Sequence, residues 1–496
     1  MRCFSNITIT SDHNPYKHYI RYLFIAIVYT MARDTIKIEG VTYDITNFKH
    51  PGGNIINYAK NSPDATEIFR EFHHRSTKAT KLLRSLPVYH DGEGDNDGAN
   101  ALLELTERQQ EMTTDFREMR SNLVNQGCFE PDYIHVYFRM LELAFYFGLG
   151  AWFASYNIYA SILSFIAFKT RCGWVQHECG HLSFTGIRSI DRAIQTFTMG
   201  FGGGVSSSVW NSMHQKHHAT PQKVKHDIDL DTTPFVAFFD RAFEDNTNGK
   251  VSARFMNRWW MRLQAWTFLP IVNGILVHLF WTYYLHPKKV FHRFCSAKTR
   301  EVYIETAFEA LCMSGSHIVM PIVFYTGGAT GGGLLWCYFL LMIVNFWNFI
   351  YLFGHFSLSH TFTGVIPEDK HLLWFEYALD HTVNISTKSP MVTWIMGYLN
   401  FQIEHHLFPS MPQYKNAIAA PYVRAFCEKW SPDLKYIEHS YKEAWWLMLS
   451  NLNQVGKHYY DNGVSKDDGN DNDHDYSPRD SPTSPVVLSS EHDHLD

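Results

Sequence analysis

Three clusters of histidines with the spacing of metal ligands are the residues of this sequence best suited to chemistry. They span residues 177–181, 214–218 and 402–406, and their histidines are His177, His181, His214, His217, His218, His405 and His406. Neutral imidazole is a good ligand for iron, zinc and copper. One HxxxH spacing arises by chance on many surface helices, but three clusters near long apolar segments predict a single metal centre. The pattern therefore favours a metal-dependent oxidative enzyme that acts on a lipid.

Helical periodicity predicts how these histidines point. Residues three or four apart share one face of a helix, so the histidines of the first cluster should share a face, and so should the three of the second. His405 and His406 are adjacent, so a turn or a helix end must aim both inward. His177-Glu178-Cys179-Gly180-His181 also matches the HExxH pattern of zinc proteases. That alternative needs only one cluster and leaves two unexplained.

Further candidates lie outside or beside the clusters. His355 and His360 follow the last apolar stretch, and we predict that His360 is a further ligand. The alternative is an interfacial histidine with a backbone partner, and we expect His381 to be structural. Carboxylates expected to orient the ligands from behind are Asp227, Asp229, Asp231, Glu178 and Glu404. A solvated acidic turn is the alternative for the three aspartates.

A site with so many imidazoles suits two irons that activate dioxygen. Removing hydrogen from an unactivated methylene needs a stronger oxidant than any side chain, and a metal with dioxygen supplies it. The protein then positions the substrate and excludes water. Imidazole-rich ligation beside a membrane therefore predicts oxidation of an acyl chain, with no catalytic residues beyond the metal ligands.

Composition is consistent with a membrane protein that also has soluble parts. The chain has 496 residues, 45% of them hydrophobic, and a formal net charge of -6, which gives no indication of a nucleic-acid partner. Its eight cysteines form no CxxC pair and are predicted to be reduced thiols. Apolar stretches lie near 137–153, 155–170, 264–285, 303–325 and 333–354.

The order of these stretches predicts about four transmembrane helices. The first two should form a hairpin through the bilayer. Three stretches separate the second and third histidine clusters, and an even number of crossings is needed if all clusters share one side. We therefore expect 264–285, which carries Pro270 and His278, to be interfacial or re-entrant.

Five segments are predicted along the chain. They are an N-terminal extension at 1–34, a small α+β domain at 35–90, a linker at 91–127, an all-α membrane domain at 128–460 and a disordered acidic tail at 461–496 with Ser477, Ser481 and Ser484 before prolines. We expect translation to start at Met31, because the residues after it lead straight into the small domain. A signal-like segment from Tyr19 to Met31 is the alternative.

In these motifs, the chain resembles the front-end fatty acyl desaturases that carry a fused cytochrome b5 domain. The three boxes have the family form HxxxH, HxxHH and QxxHH, and the third begins with Gln402, which the resemblance implies is also a metal ligand. His50-Pro51-Gly52-Gly53 resembles the haem-binding motif of cytochrome b5. The resemblance runs from about residue 35 to 460 and implies a membrane desaturase domain with a cytosolic, histidine-rich di-iron cap.

The resemblance also implies cofactors and partners. His50 would be one axial ligand of haem b, and the second would be His73, with His74 as the alternative. Electrons would come from NADH through a separate cytochrome b5 reductase, with dioxygen as co-substrate and a membrane lipid or acyl-CoA as substrate. Residues 91–127 would tether the donor at an effective concentration on the order of mM. The expected location is the endoplasmic reticulum membrane, with multiple spans and both cofactor sites cytosolic.

Two blocks of sequence indicate the position of the new double bond. Residues 380–386 and 455–460 look most like delta-5 members that act on C20 polyunsaturated chains, and delta-6 members that act on C18 chains come next. A sphingoid-base desaturase, a lipid hydroxylase and a non-enzymatic electron carrier of the b5 type are the remaining alternatives. The complete boxes disfavour the carrier.

Overall fold

The computed structural model describes residues 34–60, 62–89, 105–227, 235–239, 260–367 and 370–467. Several predictions concern residues outside these ranges: the N-terminal extension, the first part of the linker, Asp229, Asp231, and the tail with its three serines. The last helix, Tyr441–Asp467, continues past the expected domain boundary at 460.

The N-terminal domain is a small α+β unit. Strands β1 (Thr35–Ile38) and β2 (Val41–Asp44) pair in antiparallel register, with Thr35 opposite Asp44. Glu39 and Gly40 between them both have positive φ, as a two-residue hairpin turn of type I′ requires. A 3-10 helix (Gly53–Tyr58), α1 (Thr66–His73) and α2 (Thr77–Leu83) follow. The first two strands therefore form a hairpin, and it covers a core that includes Ile36, Ile38 and Ala65.

The rest of the described chain is almost wholly helical. Its helices are α3 (Glu107–Asn125), α4 (Tyr133–Phe153), α5 (Ile158–Gly180), α6 (Arg188–Phe197), α7 (Ser207–Ala219), α8 (Met261–Cys295), α9 (Arg300–Thr326), α10 (Gly333–Ser357), α11 (Trp374–His381), α12 (Pro390–Ile395), α13 (Gln402–Leu407), α14 (Asn416–Lys429) and α15 (Tyr441–Asp467). The short strands β3 (Asn384–Ile385) and β4 (Glu438–His439) pair in parallel. A mostly helical domain thus follows the small one, as predicted.

The prediction of about four spans is not confirmed. Among the described residues, only α8, α9 and α10 are long and apolar enough to cross a membrane by length and composition. The segment 264–285, expected to be interfacial, lies inside α8, where π-helical turns at Phe268–Val277 accommodate Pro270. Helices α4 and α5 fall below that hydropathy, since charged residues such as Arg139 and Lys169 interrupt them. Because the second and third boxes share one site on one side of the membrane, an even number of full membrane crossings is still needed between them.

Helix α3 fixes the third histidine box to the rest of the domain. Its N-terminus is closed by a capping box in which Thr106 and Gln109 bond each other's backbone N–H. Phe116, on its inner face, is 1% exposed and stacks on Phe408 with ring centroids 5.7 Å apart. Phe375 of α11 packs on the same ring. The second part of the expected tether is therefore a packed helix.

Candidate metal centre

Eight histidines from distant parts of the chain converge into two adjacent sets. The first set is His177, His181, His214, His218 and His405, and the second is His217, His360 and His406. Within each set, one ligand atom from every residue lies within 4.8 Å of the others. All seven histidines of the predicted clusters are among them, together with His360.

The first box lies at the end of α5. His177 is one turn before His181, and both face the first set, as helical spacing predicts. Gly180 between them allows α7 to approach, because a Cβ at this position would lie 2.8 Å from the ring of Trp210. Trp210 stacks in turn on His214 at a centroid distance of 4.2 Å. The glycine and the indole therefore set the distance between the first two boxes.

The second box is divided between the two sets. Helix α7 begins after Ser206, whose hydroxyl accepts a hydrogen bond from the N–H of Val209. His214 and His218 belong to the first set, whereas His217 belongs to the second. The three rings are mutual neighbours on one side of α7, with centroids 4.5–6.0 Å apart, but this side is divided between the two sets. The side chains of adjacent helical residues, such as His217 and His218, point about 100° apart. Helix α7 therefore lies between the two sets and supplies ligands to both.

The third box is divided in the same way. His405 joins the first set and His406 the second, both from the short helix α13. Nε2 of His405 lies 3.2 Å from Nε2 of His218. Gln402, at the start of α13, places its amide nitrogen 2.9 Å from Nε2 of His360. Gln402 thus lies at the second set, where the amide is within reach of the same point as the imidazoles.

His360 and the neighbouring histidines differ in their surroundings. Nδ1 of His360 donates to the carbonyl of His381 at 3.2 Å, which leaves Nε2 directed into the second set. His355 instead contacts the hydroxyl of Tyr441 at 2.9 Å and lies outside both sets. His381 donates from Nδ1 to the carbonyl of Gly364 and also lies outside them.

Of the predicted carboxylates that the structure describes, Asp227, Glu178 and Glu404, Asp227 is the one with a hydrogen bond to a cluster histidine. Asp227 approaches Nδ1 of His217 with both oxygens, at 2.9 and 3.1 Å. Glu178 accepts from the N–H of Gln413 at 3.1 Å, and the amide of Gln413 contacts Nδ1 of His177. A zinc protease would need Glu178 beside the metal, so this arrangement disfavours that alternative.

Glu404 acts on the backbone of the third box. Its carboxylate accepts from the amide of Asn384 and from the hydroxyl of Tyr436, both at 2.8 Å. The Asn384 oxygen in turn accepts the N–H of Ile403 at 2.9 Å, so α13 is anchored from behind. Burial raises the pKa of Glu404 to about 7.

The protonation state of these imidazoles fits a metal. Burial is the main cause that lowers the pKa of His181 and of His360 to about 3, so both are neutral near pH 7. Nε2 of His214 lies 3.0 Å from Nε2 of both His181 and His218. Several buried ring nitrogens, among them Nε2 of His177 and both of His406, have no hydrogen-bond partner. Neutral imidazoles whose ring nitrogens converge on one region, several of them without a hydrogen-bond partner, are good ligands for a cation, so the donor set fits metal ions.

A separate pair of histidines lies in the N-terminal domain. The rings of His50 and His73 face each other with centroids 5.9 Å apart, nearly perpendicular at 85°. Nδ1 of His73 donates to the carbonyl of Phe69 at 3.0 Å, which leaves Nε2 toward His50. His74 points elsewhere, with its ring 5.1 Å from Phe129. Two imidazoles facing across such a gap fit the axial ligation of haem iron, with His73 as the partner of His50.

Local geometry explains why positions 52 and 53 of this motif are glycines. A Cβ on Gly52 would lie 2.8 Å from the ring of His50, and Gly53 has φ of +75°. Larger residues would therefore displace the imidazole or strain the turn.

Some residues of the site are not apparent from spacing alone. Gln413, Trp210, Asn384 and Tyr436 carry no motif, because their partners are remote in sequence. The sequence shows Gln413 seven residues after His406, but nothing in it indicates that this side chain is buried or that it contacts His177.

Two family models match the chain. The model described as fatty acid desaturase matches residues 139–438, and the model described as cytochrome b5-like heme/steroid binding domain matches residues 35–92. These matches include all three boxes and both facing histidines, respectively.

Three curated relatives align over most of their length. An acyl-lipid (8-3)-desaturase of Thraustochytrium sp is 40% identical over 86% of this chain and 92% of its own. A protein of the same name from Rebecca salina is 38% identical over 83% of this chain and 89% of its own. A delta(6)-fatty-acid desaturase of Caenorhabditis elegans is 26% identical over 83% of this chain and 93% of its own.

Proposed function

We propose that this chain, which belongs to the fatty acid desaturase family and is a front-end desaturase with a fused cytochrome b5 domain, inserts a cis double bond at the delta-5 position of a C20 polyunsaturated acyl chain. The new bond lies between an existing double bond and the carboxyl end. The two histidine sets, together with a facing histidine pair in the N-terminal domain, support the desaturation chemistry, and the blocks at 380–386 and 455–460 support the delta-5 position.

Similarity to the relatives supports this ranking. The chain is 40% and 38% identical to the two acyl-lipid (8-3)-desaturases but 26% identical to the delta(6) enzyme. Delta-6 action on C18 chains is therefore the second candidate. The acyl-lipid names of the first two relatives support a membrane phospholipid rather than acyl-CoA as the carrier.

The metal ligands are assigned in the same proposal. His177, His181, His214, His218 and His405 would hold one iron, and His217, His360, His406 and Gln402 the other. With dioxygen, two irons supply an oxidant able to remove hydrogen from two neighbouring methylenes. Asp227, which contacts Nδ1 of His217, would hold the proton on that atom and so orient Nε2 of the ring as the ligand.

The surrounding side chains exclude water from the ligands. His177 and His405 are 1% and 0% exposed. The rings of Trp210 and Phe356 lie 5.6 Å from the ring of His177 on its outer sides. A dry, apolar wall protects a reactive centre from side reactions and suits an acyl chain.

Electron supply completes the proposal. His50 and His73 would hold haem b, and a separate cytochrome b5 reductase would charge it with electrons from NADH, one at a time. No flavin or nicotinamide fingerprint is apparent in the sequence, which supports a separate reductase. Three helices long and apolar enough to cross a membrane support a membrane location, and we place the chain in the endoplasmic reticulum with both sites cytosolic.

Fatty-acid profiling tests the proposal directly. The chain is expressed in a host without polyunsaturated acids, which is fed C18 and C20 substrates one at a time, and double bonds are located by mass spectrometry of derivatised products. A new delta-5 bond in a C20 chain is expected. A delta-6 bond in C18 chains would transfer the proposal to the second candidate, and a hydroxylated acid or sphingoid product would overturn it. If folded, haem-loaded protein forms no product, the electron carrier is the remaining candidate.

A further inference from the structure

Arg75 connects the N-terminal domain to the desaturase domain at its metal centre. It lies two residues after His73, at the end of α1. Its guanidinium donates to the carbonyls of Leu182 at 3.1 Å and Ser410 at 3.0 Å, and also to that of Phe129. Leu182 directly follows His181. One side chain thus joins the second haem-ligand candidate to the segments that carry the first and third boxes.

Glu71 makes a second connection from the same helix. Its carboxylate accepts from the hydroxyl of Ser410 at 2.6 Å and from the guanidinium of Arg120 at 2.7 Å. Glu71 is buried, and Arg120 belongs to α3, which is anchored in the desaturase core through Phe116, one turn before Arg120. Arg117 of α3 adds ion pairs to α1, so α3 holds the N-terminal domain against the metal cap. Removing one partner of a buried, charge-assisted contact is destabilising, because it leaves the other charge buried and unpaired.

The N-terminal domain also contacts a segment beside the second box, through the 3-10 helix that follows His50. The 3-10 helix that follows His50 ends at Tyr58, whose ring lies 5.1 Å from the ring of His226. His226 directly precedes Asp227, which contacts His217. Segments beside both candidate haem ligands therefore contact segments beside all three boxes.

We infer that Arg75 is a positioning residue, which locks the haem domain onto the metal cap in the arrangement from which electrons pass. This inference rests on the proposed function. Haem held by His50 and His73 would supply one electron at a time to iron held by the histidine boxes; the haem iron would be oxidised from ferrous to ferric as a non-haem iron is reduced from ferric to ferrous, and the reductase would reduce the haem again. The path is short: from His73 along two peptide units to Arg75, across its hydrogen bond to the carbonyl of Leu182, and into the backbone of His181. The haem domain therefore works in a docked state, and a mobile tether is not required.

A pair of matched variants tests this role. Arg75→Gln removes the contacts with the three carbonyls, whereas Arg70→Gln removes the same charge from the same helix. Arg70 contacts Glu39 and Glu67, both within the haem domain. Each hydrogen bond to a charged group is worth on the order of tenfold in an equilibrium constant. We expect Arg75→Gln to slow haem reoxidation about tenfold or more, with Arg70→Gln at the parental rate.

The measurement uses the full-length protein with haem and iron quantified in every sample. Dithionite-reduced protein is mixed with oxygen and substrate in a stopped-flow instrument, and the haem absorbance is followed. Amide hydrogen exchange of residues 66–75 gives a readout independent of turnover, and it should rise by a similar factor in Arg75→Gln alone. Direct chemical reduction of the non-haem irons should be unchanged, which a merely structural defect at the iron site would not permit.

The outcomes separate this inference from the proposed function. A parental protein that forms no desaturated product would refute the function. A productive parent whose Arg75→Gln variant shows parental haem reoxidation and parental exchange would refute the inference. If Arg75→Gln does not retain haem and iron, Ser410→Ala decides instead, because it removes only the hydroxyl that bonds Glu71. It should slow haem reoxidation about threefold or more, and no change there would overturn the proposed docking.

Discussion

Asp227 offers the sharpest test of the second metal set, because both of its carboxylate oxygens contact His217 of that set. Its oxygens lie 2.9 and 3.1 Å from Nδ1 of His217, and one also accepts the N–H of Gln222 at 2.7 Å. Asp227→Asn keeps the shape but loses the charge, and only one of its two terminal atoms can accept. Asp227→Ala removes both contacts. Asp227→Ala should therefore weaken iron binding more than Asp227→Asn does.

The magnitudes follow from these contacts. A hydrogen bond to a charged group contributes roughly 1.5–3 kcal/mol and a neutral one roughly 0.5–1.5 kcal/mol, so Asp227→Asn should weaken iron binding by about 1–2 kcal/mol, or about 5–30-fold. Loss of the orienting group altogether costs about 10–100-fold in metal affinity or activity. Asp227→Ala should therefore lose one of the two non-haem irons under mild chelation, and product should fall with it.

The assay compares iron per chain, haem absorbance and product. Iron is measured by mass spectrometry after dialysis against a graded chelator, and product by gas chromatography. Asp433→Asn is a matched control, since Asp433 pairs with Arg108 at an exposed position far along the chain from the boxes. Full retention of both irons in Asp227→Ala would refute the assignment of Asp227. Loss of haem together with iron would indicate misfolding and would refute the separation of the two sites.

Three further outcomes are expected. His50→Ala should lose the haem absorbance while it retains non-haem iron, whereas His74→Ala should keep the haem, as absorbance and metal analysis will show. His406→Ala should abolish the product with the haem spectrum intact; a normal product profile would contradict its role as a ligand. Gly180→Ala should push its Cβ against Trp210, 2.8 Å away, and reduce iron content and product together by about 10-fold or more, since a strained contact of 1–3 kcal/mol falls on the ligand helix. Parental iron content in that variant would exclude the close approach of α5 and α7.

The sequence by itself determined the chemistry of this protein. Imidazoles at helical spacing indicate metal ligands wherever the helices pack, so all seven box histidines could be predicted before any fold was known. The hairpin at Glu39-Gly40 and the capping of α3 depend on nearest neighbours and were predictable for the same reason. His50 belongs to this group, because its motif supplies the turn that holds it.

Packing between remote segments decided the rest. His218 and His405 are 187 positions apart, and only the packing of α7 against α13 brings their Nε2 atoms to 3.2 Å. The division of the second box between two sets depends on where α7 lies, and the choice of His360 over His355 depends on whether a neighbour turns the ring inward or outward. Spacing within one segment carries no such information.

The arrangement of the two domains is the clearest case. Local sequence predicts a linker at 91–127 and a charged helix within it, but not what the charges contact. In the structure, Arg117 and Arg120 bind acidic residues of α1, while Arg75 binds carbonyls beside the boxes. Ion pairs and hydrogen bonds to backbone carbonyls depend on three-dimensional complementarity between two surfaces, and most surface charges make no such contacts. The sequence therefore predicted which cofactors the chain would hold, and the tertiary structure alone decided that segments beside the two candidate sites contact each other.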